Sequence, residues 1–98
     1  MEKQAVIITE KDSVAVATVD LTKGSKAKMF IGKEVVEIEL KEDIKFGHKF
    51  AIKEIKKGEH VIKYGESIGT ATRDILVGEH VHVHNVESDR GRGDRTHN

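Results

Sequence analysis

The sequence predicts an all-β domain built from short antiparallel strands. Val, Ile and Thr fill short runs, and no long window carries apolar residues at helical spacing. β-branched residues favour strands, whereas the glycines that separate the runs supply turn conformations. Proline is absent, so the turns depend on glycine. Short, numerous strands without helical crossovers favour a compact barrel-like or folded-ribbon sheet over a parallel α/β layer.

Seven runs are predicted as strands. They are Ala5 to Thr9, Val14 to Asp20, Lys33 to Leu40, Lys49 to Ile55, His60 to Tyr64, Ser67 to Ala71 and Glu79 to Val86. In the third run, Val36, Ile38 and Leu40 alternate with two glutamates, which predicts a half-buried strand. Between the second and third runs, the segment from Thr22 to Lys28 is also compatible with a single helical turn.

An eight-residue pattern occurs twice in the second half of the chain. Glu54 to Val61 and Asp74 to Val81 share the order acid-Ile-x-x-Gly-Glu-His-Val. Two copies are too few for a solenoid, so we expect two equivalent units in which a turn leads into a strand. Glu59 and Glu79 are interpreted as solvated turn acids without a chemical role.

Composition narrows the class of partner. The chain has 98 residues, which suits one domain, with 17 basic and 17 acidic side chains. Without net charge there is no long-range attraction to nucleic acid or to an anionic membrane. There is no cysteine, and no segment resembles a signal peptide or a membrane span, so we expect a cytoplasmic protein. Residues 1–86 are predicted to form the domain, and the polar residues 87–98 a flexible tail.

The histidine-rich run near the carboxyl end carries the strongest chemical signal. In a continuous strand, His80, His82 and His84 share one face while Val81 and Val83 point to the core. Neighbouring histidines about 6.6 Å apart can share a metal ion, but the outer pair, about 13 Å apart, cannot. Imidazole pairs suit Zn, Fe or Mn, with a third ligand from elsewhere. The alternative interpretation is a row of exposed polar residues on an edge strand.

The best candidate for a third ligand is His48, which lies between Gly47 and Lys49. A second polar segment, Lys63 to Gly69, places a cation and a phenol beside two glycines. Such a loop can bind a carboxylate through charged donors and backbone amides, or it can be an ordinary hairpin loop; both interpretations stay open. No nucleophile elbow, phosphate-binding loop, dinucleotide fingerprint or zinc ribbon occurs, which argues against self-contained nucleophilic catalysis.

Several stretches together resemble a known family, the SAF domain in its altronate/galactarate dehydratase version. The stretches are Gly47 to Ala51, Gly58 to Gly65, Ile68 to Ala71, Ile75, and Gly78 to Asn85. The resemblance implies a β-clip fold, a long folded hairpin ribbon of short antiparallel strands. It also implies removal of water from hexonates or hexarates to give 2-keto-3-deoxy acids, with a divalent metal such as Fe²⁺ or Mn²⁺.

The same resemblance implies that this chain is a small subunit that works with a separate large catalytic dehydratase subunit. A relative with the same two-part design eliminates sulfite from sulfolactate, and some SAF-type domains only bind sugars, so both functions are alternatives. Association of the chain with copies of itself stays open.

The resemblance also indicates roles for individual residues. It implies that histidines at the mouth of the active site bind a metal ion and take part in catalysis. It also implies that neighbouring residues contact the carboxylate of the substrate. The implied metal ligands are His82, His84 and His48, the implied catalytic residues are His48 and His84, and the implied substrate-binding residues are Lys49, Lys63 and Tyr64.

Overall fold

The chain folds into short strands and turns in a computed structural model, which describes residues 4–7 and 9–88. The strands are β1 (Ala5–Val6), β2 (Val14–Ala17), β3 (Lys26–Ile31), β4 (Glu34–Glu39), β5 (Lys49–Ala51), β6 (His60–Lys63), β7 (Glu66–Ala71), β8 (His80–Val81) and β9 (Val86–Glu87). The predicted all-β class is confirmed. Within these two ranges there is no helix, and hence none with the length and hydropathy to cross a membrane.

The strands form three small antiparallel sheets. The largest has the order β1-β2-β5-β8, the second is the β3-β4 hairpin, and the third has the order β6-β7-β9. β5 pairs with β2 on one side and with β8 on the other, where Lys49 lies opposite Val81. Because this pairing is antiparallel, His48, which precedes β5, lies next to the residues that follow β8.

β5 lies between two hydrophobic cores. Its adjacent residues Phe50 and Ala51 are both fully buried, and each belongs to a different core. Val81 at the end of β8 packs in the same core as Ala51. Burying a valine side chain contributes roughly 1.5–3 kcal/mol. The last residue of β8 is therefore anchored where the histidine-rich segment leaves the strand.

The repeated pattern belongs to a set of four similar turns. Each turn has an acid, an aliphatic residue, two variable residues and a glycine with positive φ, and the glycines are Gly24, Gly47, Gly58 and Gly78. The turns meet in pairs through antiparallel bridges, Leu21 with Ile44 and Ile55 with Ile75. The sequence repeat identified only the second pair, because the first pair lacks the Glu-His-Val ending.

The three aspartates of these turns bind backbone groups of the turn opposite. Asp20 accepts a hydrogen bond from the N–H of Phe46, and Asp43 accepts one from the N–H of Lys23, both at 2.8 Å. Asp74 accepts a backbone N–H of the opposite turn in the second pair, also at 2.8 Å. Such bonds satisfy N–H groups that the short strands leave unpaired. The first pair of turns is thus closed by side chains from both members, and the second pair by Asp74.

The two repeated glutamates act within their own turns. Glu59 Oε1 accepts a hydrogen bond from the N–H of Lys56 at 2.7 Å, and Glu79 Oε1 accepts one from the N–H of Leu76 at 2.6 Å. Both carboxylates are therefore engaged by backbone groups, in keeping with their interpretation as turn acids.

Two segments differ from what the sequence predicts. Thr22 to Lys28 contains no helical turn, because Lys26 already begins β3, in which buried Ala27 and Met29 alternate with exposed residues. The tail expected from Glu87 onward begins inside β9, and its residues 89–98 lie outside the described ranges.

Candidate functional site

The loop between β8 and β9 is held closed by a buried side chain, Asn85. Its Oδ1 accepts a hydrogen bond from the N–H of His82 at 2.9 Å, and its Nδ2 donates to the carbonyl of His80 at 2.8 Å. Only 3% of Asn85 is exposed. Asparagine side chains offer the backbone such local partners in place of a strand ladder. The chain therefore turns back after Val81 instead of continuing in extended form.

The continuous strand predicted from Glu79 to Val86 is accordingly wrong beyond Val81. Val83, expected in the core, is 81% exposed. The predicted separation of the outer histidines is also wrong, since the ring centroids of His80 and His84 lie only 5.5 Å apart. The physical reason is that hydrogen bonds to Asn85 replace the strand pairing that would have kept residues 82–85 extended.

Four histidines meet beside β5, and we call this group, His48, His80, His82 and His84, the imidazole cluster. The ring centroid of His48 lies 5.1 Å from that of His80 and 5.5 Å from that of His82. The rings of His80 and His82 stack with centroids 5.4 Å apart. The imidazole cluster thus gathers the three predicted metal ligands around a fourth histidine, His80.

The shortest polar contact in the imidazole cluster joins His48 Nδ1 to His80 Nε2 at 3.0 Å. This contact is a hydrogen bond when one nitrogen carries a proton and the other does not, and the tautomers decide which ring donates. Burial lowers the pKa of His80, neighbouring imidazoles lower it further, and the carboxylate of Glu42 acts in the opposite direction. The lowered pKa favours neutral His80, the form that accepts a proton or binds a metal ion.

The imidazole cluster offers donors suited to a divalent transition-metal ion, because imidazole nitrogens bind Fe, Mn and Zn. Two nitrogens each about 2.1 Å from one ion and at right angles to each other lie about 3.0 Å apart. The contact between His48 and His80 has this spacing. No three imidazole or carboxylate groups within residues 4–7 and 9–88 are arranged to hold one ion together. The described residues therefore fit a half-site that requires further ligands.

Beside the imidazole cluster lies an open cleft of about 350 Å³, which we call the lysine cleft. Its walls are formed by Lys49, Lys63, Ile68, Val81, His82, Val83, Val86 and Ser88. This volume lies within the range of small-molecule binding sites. Because His82 belongs to both groups, a molecule in the lysine cleft lies next to the imidazole cluster.

The two lysines of the cleft form a pair of like charges. Burial lowers the pKa of Lys49, and the positive charge of Lys63 lowers it further. Across the described part of the chain, neither ammonium group forms an ion pair with a carboxylate. An anion bound between them would offset both their repulsion and the loss of hydration. Two of the three predicted substrate-binding residues are thus together in one cleft.

Tyr64, the third predicted substrate-binding residue, lies outside the walls of the lysine cleft. Its ring contacts Lys63, whose Nζ lies 4.8 Å from the ring centroid in a cation–π arrangement. The φ angle of Tyr64 is 56°, and that of Gly65 is 76°. Two consecutive positive φ angles are typical of a type I′ hairpin turn, in which asparagine is favoured at the first position. Tyr64 therefore contacts the lysine cleft only through Lys63, from a strained backbone position.

Two residues of this site were missing from the predicted set, His80 and Asn85. His80 could have been selected from the sequence, because the repeat places it one residue before a buried valine and hence at a fixed strand end. Asn85 had only a weak signal, since an asparagine after a histidine-rich run is equally compatible with a strand end or a turn.

Comparison with known proteins supports the resemblance seen in the sequence. The family model described as the altronate/galactarate dehydratase SAF domain matches residues 3–89. The altronate dehydratase of Bacillus subtilis is 42% identical over 86 residues, which are 88% of this chain and 16% of that protein. The altronate dehydratase of Escherichia coli is 42% identical over 85 residues, with the same 16% covered.

A third relative is a shorter protein. The (2R)-sulfolactate sulfo-lyase subunit alpha of Chromohalobacter salexigens is 47% identical over 55 residues, which are 56% of this chain and 58% of that subunit. The chain thus spans only 16% of the altronate dehydratases but more than half of the sulfo-lyase subunit. With a family match over residues 3–89, this chain belongs to the altronate/galactarate dehydratase SAF domain family.

Proposed function

We propose that this chain is the small subunit of a hydro-lyase that removes water from a sugar acid to give a 2-keto-3-deoxy acid. The proposal includes a separate large catalytic subunit, because the altronate dehydratases contain this domain as only 16% of their length. The observation that carries the proposal is that the lysine cleft and the imidazole cluster share His82. In the proposed function, an anion site and a site for proton transfer or metal binding lie side by side.

The lysine cleft would hold the carboxylate of the substrate. Lys49 and Lys63 are like charges without a carboxylate partner among the described residues, and a bound carboxylate would supply the missing charge. Charge-assisted hydrogen bonds from ammonium groups to a carboxylate are about twice as strong as neutral ones. Tyr64 would contribute by holding Lys63 in place.

The imidazole cluster would hold a divalent metal ion, Fe²⁺ or Mn²⁺, in combination with ligands from the large subunit. His48 and His80 have the spacing of two neighbouring ligands, and His82 and His84 lie against His80. When bound, such an ion would make the proton next to the carboxylate more acidic, for removal by a base of the large subunit, and would polarise the departing hydroxyl group. Among the imidazoles other than these two ligands, we assign to His84 the role of supplying the proton with which that hydroxyl leaves as water.

Reconstitution tests the proposal. The chain is combined with a large altronate dehydratase-type subunit, and formation of the 2-keto-3-deoxy acid from altronate and galactarate is measured with Mn²⁺ or Fe²⁺ present. We expect no turnover by the chain alone, turnover by the mixture, and loss of turnover with His48→Ala. His60→Ala is the matched control, because His60 is an exposed histidine on β6 outside the imidazole cluster. Unchanged turnover with His48→Ala would contradict the role of the cluster.

A second candidate function is that of a sulfolactate sulfo-lyase alpha subunit. It is favoured by the 47% identity and by the larger share of that subunit that the chain covers. Release of sulfite from sulfolactate by the mixture, without dehydration of sugar acids, would support it. Binding of sugar acids without association with any large subunit would instead indicate a non-catalytic binding module.

A further inference from the structure

We infer that the lysine cleft recognises only the acid group of its ligand and the carbon next to it, and that it makes no use of the hydroxyl groups of a sugar acid. This inference rests on the proposed function, in which the lysine cleft takes the substrate carboxylate. It assigns the choice among different acids to the large subunit, not to this chain.

The walls of the lysine cleft do not suit a chain of hydroxyl groups. Four of its eight residues are aliphatic, and these are Ile68, Val81, Val83 and Val86. Each hydroxyl group placed against such a surface without a partner costs about 1–3 kcal/mol. The side chains that remain are the two lysines, His82 and Ser88, and His82 lies at the border with the imidazole cluster. The aliphatic wall therefore fits the C–H face of the carbon next to the acid group, and the polyol beyond that carbon must extend outward.

The polar groups of the lysine cleft recognise charge more than shape. Lysine presents a compact positive charge on a flexible stem, whereas arginine presents a planar fork that fixes the orientation of a carboxylate. Neither Lys49 nor Lys63 is directed by an ion pair with a carboxylate in the described ranges. Two such lysines attract an anionic group, but they do not select among ligands that differ in stereochemistry farther along the carbon chain.

The comparison with relatives fits this division of labour. Proteins that share this domain at 42% and 47% identity are named for altronate and for sulfolactate, acids of different length. A cleft that binds the acid group alone can serve both. This chain spans 16% of the altronate dehydratase, so the remaining 84% of that protein is available to distinguish one acid from another.

The test is a titration of the 98-residue chain with four probes, in which NMR chemical shifts of the backbone amides report binding. Propionate is a bare acid, lactate adds one hydroxyl group, gluconate is a hexonate, and sorbitol is the matched neutral polyol. We expect the three acids to shift the amides of the lysine cleft with dissociation constants within about threefold of one another, and sorbitol to have no effect. Gluconate binding more than about tenfold tighter than propionate would overturn the inference while leaving the proposed function intact.

Variants separate the two proposals further. Lys49→Met and Lys63→Met keep the aliphatic stem and remove the charge. Each variant should weaken the binding of all three acids by the same factor. Lys28→Met on the exposed face of β3 is the control for the same change in net charge. Val86→Thr adds a hydroxyl group to the wall with little change in shape, and because the polyol extends outward it should change the ratio of the gluconate and propionate affinities by less than about threefold. If no acid binds the unaltered chain, both the inference and the carboxylate site of the proposed function are wrong.

Discussion

The two copies of the repeated pattern, Glu54 to Val61 and Asp74 to Val81, have the same local structure and different surroundings. In each, a glutamate accepts a backbone N–H of its own turn, and a histidine precedes a buried valine. After the first copy the chain continues as β6, and His60 contacts Ser67, with Nδ1 and Oγ 3.1 Å apart. After the second copy the strand ends at once and the imidazole cluster forms.

The difference lies in the four residues that follow each copy. The first is followed by Ile62 to Gly65, which pairs with β7 and ends in a type I′ turn. The second is followed by His82 to Asn85, where the asparagine draws the backbone into a loop. The shared pattern therefore supplies an anchored strand start, and the residues beyond it decide whether the unit is a scaffold or a site.

The largest expected contrast between the copies is in metal binding. In the complex with a large subunit, His80→Ala removes a proposed ligand and should weaken Mn²⁺ binding by at least about 100-fold, the upper end of the effect of altering the groups that orient metal ligands. His60→Ala, the same change in the other copy, should leave Mn²⁺ affinity unchanged. Calorimetric titration with MnCl₂ measures both, and equal losses in the two variants would show that the copies do not differ in this way.

Removing the side chain of Asn85, which follows the second copy and turns the chain back, should destabilise the protein. Asn85→Ala leaves the N–H of His82 and the carbonyl of His80 without their buried partners, so we expect the free energy of unfolding to fall by about 2 kcal/mol. Asn85→Asp retains the acceptor for His82 but sets a buried carboxylate against the carbonyl of His80, so it should lose at least as much at neutral pH. Urea denaturation gives these values, and a loss below about 0.5 kcal/mol for Asn85→Ala would indicate that the loop is held by other contacts.

The first copy leads to a turn that carries strain, and relieving it should stabilise the protein. Tyr64→Asn places a residue that tolerates positive φ at the first position of the type I′ turn, so we expect a gain of about 1 kcal/mol. Tyr64→Phe keeps the strain and should be neutral. Thermal unfolding of the three proteins tests this expectation, and a destabilised Tyr64→Asn would mean that the ring contributes more through Lys63 than the turn costs.

The smallest effects should come from the part that the copies share. Glu59→Ala and Glu79→Ala each remove one hydrogen bond to a backbone N–H, which is worth about 0.5–1.5 kcal/mol. Since the two turns are equivalent, the losses in the free energy of unfolding, measured by thermal denaturation, should agree within about 0.5 kcal/mol. The two losses should add in the double variant. Unequal losses would reveal a second role for one of the carboxylates.

Much of the fold could be predicted because it depends on local pattern. Alternation identified β4, where Ile38 is buried between exposed glutamates, and glycine marked the turns. β3 was missed because its pattern of lysine, alanine and methionine lacks β-branched residues until Ile31. Six of the seven predicted strands extended past the observed carboxyl ends, four of them by more than one residue, since strand ends here are set by turn pairing between distant segments.

The site was predictable in its members and not in its arrangement. His48, His82, His84, Lys49 and Lys63 were all named from the sequence and do lie in the imidazole cluster or the lysine cleft. Their arrangement depends on the pairing of β5 with β8 and on the side-chain hydrogen bonds of Asn85. Neither can be read from periodicity, because one joins distant residues and the other replaces a strand by a loop.

The position of β5 between two cores has a consequence for how the protein folds. His48 and His80, which touch across the pairing of β5 with β8, are 32 residues apart in the chain. Contacts between distant residues require the entropy of loop closure to be overcome first, which slows folding of β topologies. The imidazole cluster should therefore assemble late, together with the completed sheet. A peptide containing only residues 78–88 would carry three of the histidines but not the fourth, and so could not reproduce the cluster.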